Sequence, residues 1–223
     1  MFGFDSFLLA LGYGFGSVFQ RAGEGDYIEF LAPGIIGMSI IFTAVFSGIE
    51  VIWDRQFGFL KEMLAAPIPR HSIMIGRTLG GATVATIQGL IVMLISFVLG
   101  FHPASWLAVF PAVLVMFLIA LLFTSVGTII GSLLSDMQGF QLIMNFLVMP
   151  LFFLSGALFP LEGLPKALSV ITKLDPLSYG IDGLRELLLG VGHYGIFIDI
   201  AALSAITFFF LMLGGYFFKR IQI

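Results

Sequence analysis

DRQFGFLKEMLAAPIPRH, residues 54–71, lies between two long apolar runs and is the one place in the first two thirds of the chain where charges crowd together. Its first eleven residues predict a short helix with Phe57, Leu60 and Leu64 on one side and the charged side chains turned elsewhere. Such a helix is amphipathic but too short to cross a membrane. The stretch therefore predicts a loop that carries a helix between two spans.

Two prolines predict where this helix ends. Pro67 and Pro69 cannot continue a helix, because proline lacks the backbone donor and clashes with the preceding turn. Two interpretations of the helix remain open: it lies on the lipid headgroups, or it docks another subunit. Residues farther along the chain favour the second interpretation.

The composition predicts an integral membrane protein. Hydrophobic residues make up 59% of the chain and charged residues 10%, whereas soluble domains carry about 25% charged residues. The mean hydropathy is +1.10. The 223 residues are filled by apolar runs, so the whole chain, residues 1–223, is interpreted as one membrane domain. The absence of cysteine excludes disulfides and thiolate chemistry.

The apolar runs predict an all-α membrane protein with six transmembrane helices. The predicted spans cover approximately residues 1–19, 30–53, 72–100, 106–134, 140–160 and 195–218. Residues 54–71 form the loop after the second span, and residues 161–192 form a longer segment before the last one. Six spans place both termini on the same side of the membrane.

The segment 161–192 predicts two short helices, 164–174 and 178–189, that are each too short to span. Pro165 suits the first turn of the first helix, and Gly190 suits the end of the second. Asp175 and Pro176 predict a break between the two helices. On the second helix, Ile181, Leu184 and Leu188 form an apolar face, and Asp182 and Arg185 form a polar face. We interpret the pair as re-entrant or interfacial helices that close the extracellular end of a pathway.

The basic residues predict the orientation, because lysine and arginine near span ends stay in the cytoplasm. Six of the ten lie on the side of the 54–71 loop: Arg55, Lys61, Arg70, Arg77, Lys219 and Arg220. The other four are Arg21, Lys166, Lys173 and Arg185. The loop and both termini are therefore predicted to be cytosolic.

The sequence argues against nucleotide binding by this chain. A phosphate-binding loop needs Gly-Lys followed by Ser or Thr, and none of the four lysines follows a glycine. Any ATP must then be bound by another chain. No GxSxG nucleophile motif and no HExxH metal motif is present either. No catalytic residue and no metal site is predicted, and His71, His102 and His193 are interpreted as surface residues.

Ionisable groups inside spans would indicate an ion-driven carrier. Asp5, Glu50 and Asp199 each lie within a turn or two of a span end, where a side chain can reach water. Asp5 and Glu50 are expected to pair with Arg55. This placement disfavours a proton or sodium relay.

Three pairs of glycines spaced four residues apart are expected to allow close helix packing. They are Gly12 with Gly16, Gly76 with Gly80, and Gly127 with Gly131.

Two motifs, LSGALFPLEGLPKAL at 154–168 and LDPLSYGIDGLRELLLG at 174–190, resemble the signature of ABC-2 type transporter permeases, the membrane subunits of ATP-driven exporters. The segment 30–70 is similar to the second span and coupling loop of that family. The resemblance implies six spans, two extracellular re-entrant helices, a homodimer or heterodimer of permeases, and a separate ATPase subunit that binds ATP and Mg. It places the protein in the cell membrane with no nucleic-acid partner.

The resemblance also implies roles for particular residues. The ATPase-coupling residues would be Asp54, Arg55, Phe57, Gly58, Leu60, Lys61, Pro67 and Arg70. The extracellular gate would comprise Pro160, Pro165, Asp175, Pro176, Tyr179, Asp182, Arg185 and Gly190. One departure concerns the start of the chain: family members carry an amphipathic cytosolic helix before the first span, and this sequence begins at or inside that span. Either the true start lies earlier or this member does without that contact.

The sequence thus predicts an export permease for a hydrophobic or amphipathic substrate, such as a drug, a lipid or a lipid-linked glycan. The alternatives are a passive channel or ion-coupled carrier that needs no ATPase, and a membrane scaffold with no substrate.

Overall fold

The computed structural model describes residues 27–65, 67–159 and 165–219, and within these ranges all regular structure is helical. The helices are α1 (Tyr27–Phe46), α2 (Ile49–Gln56), α3 (Phe59–Ala65), α4 (Arg70–Val98), α5 (Val109–Leu133), α6 (Met137–Leu154), α7 (Lys166–Leu174), α8 (Pro176–Leu189) and α9 (Ile196–Lys219), with a 3-10 turn at Trp106–Ala108. The predicted all-α class is confirmed for these residues. The predicted span 1–19, with Asp5, Gly12 and Gly16, lies outside them, as does Pro160.

Five stretches of the described residues are long and apolar enough to cross a membrane: Glu29–Gln56, Arg70–Val98, Trp106–Leu133, Met137–Leu154 and Ile196–Phe217. They lie where five of the six spans were predicted, and their ends differ from the predicted ones by a few residues. The agreement follows from length and hydropathy, which decide whether a helix can cross the hydrocarbon region of a membrane.

The core lies between α1, α4, α5 and α8. Leu31, Ile35 and Ile40 of α1 are fully buried, as are Ile119 of α5 and Ile181 of α8. α8 is buried on nearly all sides, although it is too short to span. By contrast, α6 and α9 present large apolar side chains to the outside of the bundle. The short helix α8 is therefore part of the packed interior.

The second predicted span is interrupted where it crosses α5. α1 ends at Phe46, and α2 begins at Ile49 after a turn at Ser47 and Gly48. A Cβ on Gly48 would overlap the backbone of Gly127, and one on Gly131 would overlap the carbonyl of Gly48. These glycines let the two backbones touch, so the predicted packing role of Gly127 and Gly131 is confirmed.

The single helix predicted over residues 54–64 is wrong. α2 continues to Gln56, the amide of Phe57 donates the last bond of that helix to the Trp53 carbonyl over 2.8 Å, and α3 starts at Phe59. Gly58 lies between them with φ of +84°, a left-handed conformation that only glycine adopts at little cost. The chain therefore turns at Gly58. The predicted stop before Pro67 is confirmed, since α3 ends at Ala65.

Two other helices begin earlier than predicted because an aspartate caps each of them. The Asp136 carboxylate accepts a bond from the Gly139 amide over 2.6 Å, so α6 begins at Met137 and not at residue 140. The Asp175 carboxylate accepts from the Leu177 amide over 2.9 Å, and Pro176 occupies the first turn of α8. α7 ends at Leu174, so the predicted break at Asp175 and Pro176 is confirmed, and the same two residues also begin α8.

Candidate functional site

The residues singled out from the sequence lie at the two opposite ends of the bundle. The α3 end comprises residues 54–70, the start of α4 and the junction of α5 with α6. The α8 end comprises α7, α8, the turn 190–195 and the start of α9. The alternation of the long helices separates the two ends by the full length of a span.

At the α3 end, two aromatic side chains project outward. Phe57 is 72% exposed and Phe59 is 58% exposed. Lys61, Glu62 and Pro67 are exposed beside them. Met63 faces inward and packs against Val51 and Met74. α3 is therefore held to the bundle on one side and offers an aromatic and charged surface on the other.

Asp54 and Arg55, the last charged residues of α2, contact the bundle. The Asp54 carboxylate forms an ion pair with the Arg77 guanidinium on α4. Arg55 donates to the carbonyl of Ser132 over 2.7 Å and to the carbonyl of Leu134 over 3.1 Å. These carbonyls belong to the last turn of α5, where helical carbonyls have no partner of their own.

The expected partners of Arg55 were Asp5 and Glu50. Asp5 lies outside the described residues, Glu50 is exposed, and Arg55 bonds instead to the end of α5. Arg77 was counted only as a basic residue near a span end. Its position two turns inside an apolar helix was the signal that it has a partner, because an unpaired charge there is costly.

At the α8 end, Asp182 is buried and its carboxylate receives three contacts from backbone amides. The His193 amide lies 2.9 Å from each carboxylate oxygen, and the Tyr194 amide lies 2.7 Å from one of them. The sequence placed Asp182 on a polar face of α8, but did not show where that face points. It points into the structure and holds the turn that leads to α9.

Arg185 connects α8 to two other parts of the fold. Its guanidinium donates to the Gly156 carbonyl over 3.0 Å, just after α6, and lies 4.1 Å from the centroid of the Phe30 ring on α1. The side chain is 7% exposed. Arg185 therefore fixes α8 to the ends of α6 and α1.

The other described residues predicted for the gate lie on or next to α7 and α8. Pro165 precedes α7 and is exposed, and Gly190 ends α8 with φ of +76°. The Tyr179 hydroxyl donates to the Lys173 carbonyl over 2.7 Å, and its ring lies 5.1 Å from that of Tyr194. Tyr179 therefore lies on the same helix as Asp182 and Arg185, Gly190 lies at the end of that helix, and Pro165 lies before α7.

Comparison with known proteins identifies this arrangement. The family model for the ABC-2 type transporter matches residues 6–189, which include the α3 end and, at the α8 end, α7 and α8. The chain belongs to the ABC-2 type transporter family. It is a multi-pass membrane protein of a family of transport permeases.

Curated relatives of this ABC-2 chain span most of its length. Nodulation protein J of Rhizobium leguminosarum bv. viciae is 31% identical over 82% of this chain and 71% of the relative. Nodulation protein J of Rhizobium meliloti is 29% identical over 92% of this chain and 79% of the relative. The Inner membrane transport permease YadH of Escherichia coli K12 is 33% identical over 74% of this chain and 64% of the relative.

Asp199 of the ABC-2 chain differs from its prediction. It was expected to reach water from near the end of a span, but its side chain is fully buried in the first turn of α9, next to Gly183. α8 covers it, because the chain folds back on itself at residues 190–195. The three histidines, His71, His102 and His193, are exposed as predicted. The described residues contain no group of side chains suited to a metal ion.

Burial of Asp175, the cap of α8, gives the ABC-2 fold a pH dependence. Burial raises the pKa of this carboxyl from 3.8 to about 7, and the bond from the Leu177 amide opposes the shift. Between these values the folded chain keeps a proton that the unfolded chain has released. Stability should therefore fall as the pH rises from about 4 to about 7, and then level off.

Asp175→Asn should remove this dependence while keeping an oxygen that caps α8. We expect the variant to melt at a higher temperature than the unaltered chain at pH 8 and the difference to be smaller at pH 5, because the amide carries no charge to bury. The measurement is thermal melting in detergent at both pH values. Equal differences between the two chains at pH 5 and pH 8 would refute the assignment.

Proposed function

We propose that this ABC-2 chain is the permease of an exporter whose ATP is hydrolysed by a separate ATPase subunit. Two permease chains, identical or of two related kinds, form the pathway, and the α3 end faces the cytosol. The substrate class that suits walls of apolar helices is a hydrophobic or amphipathic molecule, such as a drug, a lipid or a lipid-linked glycan. Family membership supports this proposal, and so does the absence of any Gly-Lys nucleotide-binding motif in the sequence.

One observation carries the proposal: the exposed aromatic pair on the 54–71 loop, which carries α3 and is called the α3 loop from here on. Exposed phenylalanines normally face lipid in a membrane protein, but Phe57 and Phe59 sit among Lys61 and Glu62, beyond the end of the α2 helix. An aromatic anchor within a charged rim is the composition of a protein interface. A soluble ATPase that binds here would contact the permease without entering the membrane.

The α8 end supplies a closure on the opposite side. α8 is buried within the bundle and is held by Asp182 at the turn to α9 and by Arg185 at the end of α6. Release of a substrate requires these contacts to change. We propose that nucleotide binding by the ATPase favours the open arrangement, since a ligand shifts an equilibrium only through its unequal affinity for two states.

Phe57→Ala combined with Phe59→Ala should reduce binding of the ATPase. Each truncated anchor is expected to cost about 2 kcal/mol, or roughly thirtyfold in affinity. The measurement is the amount of ABC ATPase recovered with the tagged permease when it is co-expressed with the ABC ATPases of its own genome. The matched control is Trp106→Ala with Leu107→Ala, two exposed residues at the other end. Equal recovery from both double variants would contradict the proposed docking surface.

The alternative is an ATP-independent channel or an ion-coupled carrier. Buried Asp199 is the observation in its favour, because a carboxyl inside a span is costly and is often functional. Proteoliposomes separate the two functions. With a fluorescent headgroup-labelled phospholipid and a lipophilic dye as probes, the exporter moves a probe only when the ATPase and ATP are present. Movement by the permease alone, with or without a pH gradient, would support the alternative.

A further inference from the structure

The last turn of α2 is bonded to two of the helices that enter the membrane at the α3 end, α4 and α5. Asp54 is paired with Arg77 of α4, and their side chains are only 21% and 17% exposed. Arg55 donates two bonds to carbonyls at the end of α5. Gln56 adds a longer contact of 3.4 Å to the Ser135 carbonyl. Three consecutive residues therefore join one short helix to two long ones.

The α3 helix has a different attachment. It is separated from α2 by Gly58, whose Cβ position has no neighbour within 4 Å, and among its described side chains Met63 packs inward on an apolar patch. Apolar contacts of this kind have little directionality, whereas an ion pair and bonds from a guanidinium are directional. A displacement of α3 would therefore reach α5 through Arg55 in the last turn of α2, and would reach α4 through Asp54 as well as through Met63.

We infer that Asp54, Arg55 and Arg77 are positioning residues that transmit movement from the α3 loop to α4 and α5, while the aromatic surface of α3 makes the contact with the ATPase. The inference rests on the proposed function. It divides the coupling residues into two groups, and it adds Arg77 and the carbonyl end of α5 to them. Removing one partner leaves the other charge partly buried and unpaired, so the loop should lose its fixed orientation.

The absence of cysteine allows the transmission to be measured directly. Val98 at the end of α4 and Phe197 at the start of α9 are 86% and 87% exposed, and both lie at the α8 end. Cysteines introduced at these two positions take spin labels without competing thiols. The distance between the labels is measured in the complex with the ATPase, without nucleotide and with ATP plus orthovanadate, after dilution of labelled chain with unlabelled chain.

In the otherwise unaltered chain, trapping the nucleotide should change the distance between the labels. Asp54→Ala and Arg77→Ala should each abolish most of this change while the ATPase still co-purifies. The charge-reversed pair, Asp54→Arg with Arg77→Asp, should recover a part of the change that neither single variant shows. The Glu50 carboxylate also interacts electrostatically with Arg77. It would repel an aspartate at position 77, so recovery of the distance change is expected to be partial. Melting in detergent identifies any variant that fails to fold, and the charge-reversed pair then provides the test.

Two outcomes would overturn the inference. One is a full distance change in both alanine variants with the ATPase bound. The other is a distance change in the charge-reversed pair that is no larger than in the single variants that fold. Failure of the proposed function looks different: no ABC ATPase would co-purify with the unaltered chain. The Phe57 and Phe59 variant adds a further separation, because it should lose the ATPase itself, whereas the Asp54 and Arg77 variants should keep it.

Discussion

Gly127→Ala is expected to destabilise the fold by about 3 kcal/mol, which corresponds to a melting temperature lower by roughly 6–12 °C for a chain of this size. A Cβ at this position would overlap the carbonyl of Val45, which belongs to the backbone of α1 and has no rotamer to change. The helices α1 and α5 would have to separate along their whole contact. That contact also includes Gly48 and Gly131, so the effect should extend to the turn between α1 and α2.

The chain provides a matched control for this variant. Gly80 lies in α4 at the same four-residue spacing from another glycine, but a Cβ there would meet nothing within 4 Å. Gly80→Ala should therefore be neutral or stabilise the helix by roughly 0.5–1 kcal/mol, because alanine restricts the unfolded chain more than glycine does. Thermal melting in detergent and the yield of monodisperse protein measure both variants. A loss for Gly80→Ala equal to that for Gly127→Ala would show that the contact between α1 and α5 is not what distinguishes the two positions.

These two glycines also show what the sequence could and could not predict. Gly76 with Gly80 and Gly127 with Gly131 have the same spacing, and the pattern alone gave them the same role. Only the positions of the neighbouring helices distinguish the two pairs: Gly127 and Gly131 lie against the turn between α1 and α2, and Gly76 and Gly80 lie against no other part of the described chain. Spacing predicts that a helix can be approached closely, but it does not say which side is approached.

The spans were predictable because their existence depends on length and hydropathy, which are properties of each segment alone. The break at Gly58 was not, because Phe57, Leu60 and Leu64 fit a helical period across it. The pairing of Asp54 with Arg77 was also missed, since it depends on how α2 and α4 are placed side by side. Asp199 was misplaced for a similar reason: its burial arises from α8, a helix too short for its depth in the bundle to be inferred from sequence.

The sequence predicted the helices of the α8 end better than those of the α3 end. It predicted the burial and the partners of the polar side chains at the α8 end less well. Asp182 and Arg185 were expected to form a polar face, and both are instead buried with specific partners. Buried polar groups of this kind direct one arrangement of the chain, because alternatives leave them without bonds. Under the proposed function, such contacts hold α8 in the closed arrangement and exchange as a set when the pathway opens.

Asp182→Ala tests how strongly these contacts hold the α8 end. The variant removes the acceptor for the amides of His193 and Tyr194, and bonds from amides to a carboxylate are each worth about 1.5–3 kcal/mol. We expect a loss of about 3 kcal/mol or more in stability and faster proteolytic cleavage within residues 190–195. Asp136→Ala is the matched control: this aspartate is exposed and caps α6 through one amide, so its loss should cost about 1 kcal/mol.

The comparison of these two aspartates shows whether Asp182 holds the turn between α8 and α9 in place or contributes no more than a helix cap. If Asp182 holds the turn between α8 and α9, its variant should show a large loss of stability together with local cleavage, while Asp136→Ala shows neither. Equal melting temperatures for the two variants, with residues 190–195 still protected, would mean that the buried carboxylate adds nothing beyond a cap. Asp182→Asn refines the result, because it keeps one carbonyl acceptor and removes the charge. Its melting temperature should lie between those of the unaltered chain and Asp182→Ala if the hydrogen bonds, and not the charge alone, hold this end of the bundle together.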